Sequence, residues 1–222
     1  VSLNRATDPD AIGEAASEIR RRIAQAGGDP ERVTIVAVTK TFGPETARAA
    51  LAAGLHTLGE NYAAELIEKA GALEGEAVSW HYLGAIQTNK VGRLARVTTV
   101  FESLAREREA EAIALRKPAA KVMVQVDLTG LPGRNGAGLD EVETIVSRAS
   151  ALGLSVEGLM TVAPVDPTAA RAAFRAVRSL ASDLGLAECS MGMTDDLEIA
   201  VEEGSTMIRV GRALFGARST ST

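Results

Sequence analysis

Eight apolar, β-branched runs alternating with helical patterns constrain this chain more than any other feature. The runs fall at 33–40, 57–61, 80–84, 98–103, 121–127, 155–160, 188–192 and 207–211. Helical patterns between them cover 45–53, 63–70, 90–95, 106–115, 140–152, 168–184 and 195–203. Strands that alternate with helices pair in parallel, because each crossover helix carries the chain back over a sheet face. The other arrangement this alternation permits is a doubly wound open sheet, but eight units in 222 residues close more naturally. An α/β (β/α)8 TIM barrel is therefore expected. No linker or low-complexity stretch divides residues 1–222, so one domain is expected as well. A further helix is predicted over 8–26, ahead of the first strand. Asp8 can cap it, Pro9 suits its first turn, and Ile12, Ala16, Ile19 and Ile23 recur at helical spacing until Gly27-Gly28-Asp29-Pro30.

Barrels of this kind place function at the carboxyl ends of their strands. Here those ends carry Lys40, Asn61, Gly84, Ser103, Asp127, Met160, Ser190-Met191-Gly192, Arg209 and Gly211. Lys40 closes the apolar run 33–39 and is followed at once by Thr41-Phe42-Gly43-Pro44. A desolvated lysine gives up its proton readily, and the free amine condenses with aldehydes. On that run alone, a lysine snorkelling to solvent is the plainer reading. Arg209 changes the balance, because closure makes the first and last strands neighbours and a cation beside Lys40 favours its neutral form. Something anionic is then needed to relieve the pairing. Glycines in the loops after strands seven and eight, in Ser190-Met191-Gly192-Met193-Thr194 and Gly211-Arg212, suit a phosphate, which such barrels hold there. The pattern points to a phosphorylated aldehyde held on a lysine. Pyridoxal phosphate satisfies it, and a sugar phosphate bound by a class I aldolase satisfies the same physics.

Six segments then occur in order: Val36-Ala37-Val38-Thr39-Lys40-Thr41, Gly59-Glu60-Asn61-Tyr62, the ten residues 81–90, Gly158-Leu159-Met160, Ser190-Met191-Gly192-Met193-Thr194-Asp195-Asp196, and the eight residues 204–211. Together they resemble the pyridoxal phosphate homeostasis protein family, single-domain relatives of the alanine racemase barrel, over roughly Val33 to Arg218. The resemblance implies a monomeric or weakly associating barrel that binds pyridoxal 5′-phosphate and buffers the vitamin B6 pool. It also implies pyridoxal-dependent apoenzymes as candidate recipients. By the same resemblance, Lys40 forms the internal aldimine and Arg209 faces the pyridine nitrogen. Ser190, Met191 and Gly211 supply part of the phosphate cradle, and Asn61 lines the pocket. Position 212 departs from the pattern, with Arg where a small hydroxyl residue is usual; Arg212 is expected to bring charge to the phosphate instead. Position 82 departs mildly, with His81-Tyr82 where His-Phe is usual.

The remaining features narrow the function. A formal charge of −5 with no basic block argues against nucleic acid as a partner. One cysteine, Cys189, rules out an internal disulfide framework and fits a reducing cytoplasm; a buried thiol is expected. No charged-then-apolar leader and no membrane-length apolar run are present, so neither export nor membrane insertion is expected. The glycine-rich stretch 130–138 matches no phosphate-loop or dinucleotide pattern and is expected to be a mobile loop over the barrel mouth. His56 and His81 lie far apart in sequence, which argues against zinc. Arg106-Glu107-Arg108-Glu109 is expected to be a solvated helix face. A racemase needs a second acid–base group across from its lysine. Tyr62 and Tyr82 fall early in the barrel units, and the sequence ends soon after the eighth strand. A cofactor carrier with little catalysis is therefore expected, with an amino-acid racemase and an aldolase as the competing readings.

Overall fold

The computed structural model describes residues 5–131 and 133–217. Eight parallel strands close on themselves in sequence order: β1 (Thr34–Val38), β2 (Thr57–Glu60), β3 (Ser79–Tyr82), β4 (Val100–Leu104), β5 (Lys121–Val126), β6 (Ser155–Thr161), β7 (Glu188–Ser190) and β8 (Met207–Val210). The seam is made by β1 and β8, where Val36 pairs with Arg209 and Ala37 with Val210. Helices α1 (Pro9–Gln25), α2 (Pro44–Ala52), α3 (Ala63–Ala72), α4 (Val91–Leu94), α5 (Glu107–Arg116), α6 (Val142–Ala151), α7 (Pro167–Asp183), α8 (Leu197–Glu202) and α9 (Arg212–Phe215) surround the sheet. The TIM barrel expected from the alternation is the fold observed, and the open sheet is not.

The extra helix has a structural task. Helix α9, in the position of the eighth crossover helix, spans only four residues, too short to cover the seam. Helix α1 packs against α2, α8 and α9 and covers it. Its start is capped by the Asp8 carboxylate, which accepts from the N–H groups of Asp10 and Ala11. Ile12, Ala15, Ala16, Ile19 and Ile23 then form one buried stripe. Arg22, bordering that stripe, meets Glu198 at 2.6 and 2.8 Å and the Thr194 carbonyl at 2.9 Å. That contact ties α1 to the loop after β7.

Apolar burial divides into two shells. The larger lies between sheet and helices and includes Phe101, Phe174, Val177, Leu197 and Phe215. Each such side chain contributes roughly 1.5–3 kcal/mol through removal from water. A smaller cluster, Val36, Val100, Met123, Met160 and Met207, fills part of the barrel interior, where alternate strand residues point inward. At Gly158, a Cβ would stand 2.0 Å from the Glu188 carbonyl oxygen, so β6 and β7 pack closely only because that residue is glycine.

Several elements end earlier than expected. Strand β1 stops at Val38, so Lys40 sits two residues beyond it, in a turn. The third strand stops at Tyr82 rather than Gly84, and the expected helix at 90–95 is a 3-10 turn, Thr88–Lys90, followed by α4. The first residues of α5 are not a wholly solvated face. Glu109 is 1% exposed, and its carboxylate accepts from the Ala105 N–H and from Arg106, both at 2.9 Å. A charge placed to cap its own helix is buried with its partners, which a charge pattern alone does not reveal.

Candidate functional site

A cavity of about 1150 Å³ opens at the carboxyl ends of the strands. Its walls carry Lys40, Asn61, Gln125, Asp127, Arg134, Arg209, Gly211 and Arg212 among others. Among the described lining residues, Lys40, Arg134, Arg209 and Arg212 are cationic, against Asp127 and Asp195. A cation-rich hollow in a chain of net charge −5 is the electrostatic signature of an anionic ligand.

Lys40 owes its place to helix α3. Lys69, 2% exposed, crosses under the turn and donates from Nζ to the Thr39 carbonyl (2.7 Å), Glu60 Oε1 (2.6 Å) and Glu65 Oε2 (3.2 Å). The Thr39 hydroxyl donates to the same Glu60 oxygen at 2.6 Å, and the Thr41 N–H donates to Glu65 Oε2 at 2.7 Å. Thr41 has a φ of 69°, a left-handed conformation that costs a threonine energy and persists when its surroundings impose it. Both residues flanking Lys40 are thus clamped. Glu60 is fully buried, and its Oε2 has no hydrogen-bond partner among the described residues. Burial pushes its carboxyl above the ordinary value, against the attraction of Lys69 and the hydrogen bonds from Lys69 and Thr39.

Arg209 is held from the far side of the barrel. Its Nη1 donates to the Ser190 carbonyl (2.6 Å) and hydroxyl (2.8 Å), and its Nη2 donates to the Thr161 carbonyl (2.6 Å). The Ser190 hydroxyl donates to Glu102 Oε2 at 2.5 Å, and Glu102 Oε1 lies 2.5 Å from His81 Nδ1. Glu102 is wholly buried. Burial alone would raise its carboxyl, but the hydrogen bond and charge of His81, the charge of Arg209 and the Ser190 hydrogen bond carry it below the ordinary value. Burial lowers Arg209, opposed by Glu102 and Asp196. The anion that the Lys40–Arg209 juxtaposition calls for is supplied in part by the protein itself.

The glycine-rich stretch does border the mouth. Arg134 and Asn135 line the cavity, while Pro132 lies outside the described residues. Its second half is pinned down. Asn135 Nδ2 donates to Gln125 Oε1 (2.7 Å), Gln125 Nε2 donates to the Asn135 carbonyl (2.7 Å), and Ala137 bridges to Val126.

Comparison with known proteins places this architecture. The family described as alanine racemase, N-terminal domain, matches residues 8–219. A pyridoxal phosphate homeostasis protein of Pseudomonas aeruginosa is 38% identical over 218 residues, covering 93% of this chain and 94% of its own. One from Deinococcus radiodurans is 40% identical over 205 residues, covering 89% and 95%. This chain belongs to the pyridoxal phosphate homeostasis protein family. Among solved structures, PipY of Synechococcus elongatus, with pyridoxal phosphate bound, has a TM-score of 0.82 at 31% identity, over 92% of this chain and 100% of that one.

Set beside the expectations for a member of this family, the structure brings Lys40, Asn61, Arg209, Gly211 and Arg212 to one cavity. Ser190 and Met191 do not line it. The Ser190 hydroxyl is committed to Glu102, and Met191 is fully buried with its N–H on the Met207 carbonyl. The β7 side of the wall is Met193, Thr194 and Asp195 instead. Arg212 reaches the rim, where it is exposed and salt-bridged to Asp195. Arg218, the far end of the resemblance, lies outside the described residues. His81, Glu102, Glu60 and Lys69 are parts of the site that sequence reasoning missed. Cys189 is a buried free thiol, as expected, and burial raises its pKa.

The clamp makes a thermodynamic prediction. Lys69→Met leaves Glu60 buried without its cation and costs about 3–5 kcal/mol, read as a lower urea midpoint. Adding Glu60→Gln removes the stranded charge and recovers a large part of that loss. A double variant as unstable as the single one would show that the pair does not carry the clamp.

Proposed function

We propose that this cavity takes pyridoxal 5′-phosphate and holds it covalently on Lys40, and that the protein serves vitamin B6 homeostasis as a carrier with little catalysis of its own. The observation that carries the reading is the donor set around one cavity of about 1150 Å³: the Lys40 amine, Arg134, Arg209 and Arg212. Support comes from the Synechococcus relative, whose structure contains pyridoxal phosphate, and from the names of the Pseudomonas and Deinococcus relatives. When bound, that cofactor supplies an aldehyde that condenses with a primary amine, releasing water, and a phosphate that needs N–H and cationic partners. The residues present fit both demands.

Lys40 offers the amine, held on a backbone that Lys69, Glu60 and Glu65 position. Arg209 is the donor assigned to the pyridine nitrogen, and Asn61 lines the same pocket. Gly211 and Arg212 border the place assigned to the phosphate. The Arg212–Asp195 pair is exposed on both sides, and such surface pairs are worth only about 0–1 kcal/mol. A phosphate can therefore compete for that guanidinium. Ser190 serves the cofactor through Arg209 rather than by touching phosphate, and Met191 has no contact role.

Weak catalysis follows from the same residues. A permanently cationic donor at the ring nitrogen disfavours protonation there and so weakens the electron sink. Neither tyrosine lines the cavity: Tyr62 is exposed, and the Tyr82 hydroxyl donates to the Ala85 carbonyl. Asp127, on the wall, accepts at Oδ1 from the Thr129 N–H and hydroxyl at 2.9 and 2.7 Å. Among the described residues no helix is long and apolar enough to cross a membrane. A cytoplasmic monomer that hands its cofactor to pyridoxal-dependent apoenzymes is the setting we assign.

Titrating apoprotein with pyridoxal phosphate tests the attachment. The absorption of the free aldehyde disappears stoichiometrically with the wild type but persists with Lys40→Ala, which retains at most reversible binding through the phosphate. An unaltered titration in Lys40→Ala contradicts the assignment. The carrier reading faces a second test, incubation of the loaded protein with L-alanine in deuterated water. Exchange at the α-carbon is expected to be far below enzyme-like rates of about one per second, and exchange at such rates would make the protein a racemase. A loaded protein that instead cleaves a sugar phosphate would restore the aldolase.

A further inference from the structure

Four side chains from four strands form one hydrogen-bonded line through the barrel interior: Arg209 of β8, Ser190 of β7, Glu102 of β4 and His81 of β3. All four are buried. Arg209 lines the large cavity. His81 lines a second cavity of about 250 Å³ at the opposite end, among Thr34, Thr57 and Ser79, the first residues of β1, β2 and β3. The line therefore runs from one end of the barrel to the other, past the apolar Val36, Met123 and Met160.

Burying charge here costs several kcal/mol per ion before any pairing, and apolar residues fill part of the interior without that cost. The geometry indicates what the charge does. Arg209 donates to neutral oxygens, the carbonyl and hydroxyl of Ser190 and the Thr161 carbonyl. A serine hydroxyl has one proton to give, and Ser190 gives it to Glu102. Its Oγ therefore presents only lone pairs to Arg209. Without the Glu102 carboxylate, that proton must find another acceptor, and the hydroxyl is no longer held in the orientation that serves Arg209. His81 occupies the other carboxylate oxygen and fixes the direction in which Glu102 points.

We propose that Glu102, locked by His81, is a positioning residue for the cofactor site: it orients Ser190 and counterbalances Arg209, so that the guanidinium stays aimed at the bound pyridine nitrogen. The inference rests on the reading of the large cavity as a pyridoxal phosphate site. Glu102 does not line that cavity and acts through Arg209 alone.

The test is a pH titration of the bound cofactor's absorption in loaded wild type, Glu102→Gln, His81→Phe and His81→Asn. The charges that act on the line are few. Glu102 faces His81 and Arg209, Arg209 faces Glu102 and Asp196, and the cavity wall adds Lys40, Arg134, Arg212, Asp127 and Asp195. Glu102→Gln deletes one negative charge inside the barrel, so the cationic form of the lysine-bound cofactor holds its proton less well. The titration midpoint is expected to fall by roughly half a pH unit or more, the scale of one unit charge acting through the protein interior. His81→Phe removes the hydrogen bond and charge that hold the Glu102 carboxyl low, so burial drives it to the protonated form; the same negative charge is lost and the midpoint moves the same way. His81→Asn keeps a nitrogen donor at that position and stays near the wild type, which mere loss of packing would not allow. Wild-type midpoints in both Glu102→Gln and His81→Phe would overturn the positioning role while leaving the cofactor site standing. A wild type with no titrating band, or one whose band survives in Lys40→Ala, would overturn the site reading and this inference with it.

Discussion

Closure of β8 onto β1 is the constraint on which the rest depends. It sets Val36 opposite Arg209, so the lysine that follows the first strand and the arginine of the last share one cavity. An open sheet of the same eight strands would put them at opposite edges. Closure also explains the N-terminal helix. The seam strands meet where the chain ends its circuit on the four-residue α9, and α1 supplies the apolar face that α9 cannot.

Two cations brought together in this way need support, and the barrel answers with two separate carboxylate systems. Outside the sheet, Glu60 and Lys69 grip the backbone at Thr39, while Glu65 holds Thr41. Inside it, Glu102 answers Arg209 by way of Ser190. The first system makes the position of Lys40 a matter of backbone geometry. The second keeps a permanently charged donor in an interior otherwise suited to methionine and valine. Preorganisation of this kind reduces the ordering cost of capturing a ligand.

The alternation of strand and helix was legible because period-two and period-3.6 patterns survive in single segments, and the carboxyl-end rule then pointed to Lys40, Asn61, Arg209 and Gly211, which line the cavity. Polar residues inside elements were harder. Lys69 and Glu109 read as ordinary helix charges, and a one-dimensional pattern does not say that a long amine will turn under a neighbouring strand. Glu102 did carry a signal. It shares inward parity with Val100 on a strand buried on both faces, so a charge there demands a partner from another strand. His81 and Arg209 were the candidates. Ser190 and Met191 were misplaced for the complementary reason: β7 ends at Ser190, and the chain reaches the cavity only at Met193, after Gly192 turns with φ 94°.

The claim that joins these parts is that one lysine, held in a turn beyond the first strand, takes the cofactor. Reducing the loaded protein with borohydride and mapping the modified peptide by mass spectrometry tests it directly. A pyridoxyl group confined to Lys40 is the predicted result. Modification found instead on Lys69, Lys90, Lys117 or Lys121 would contradict it.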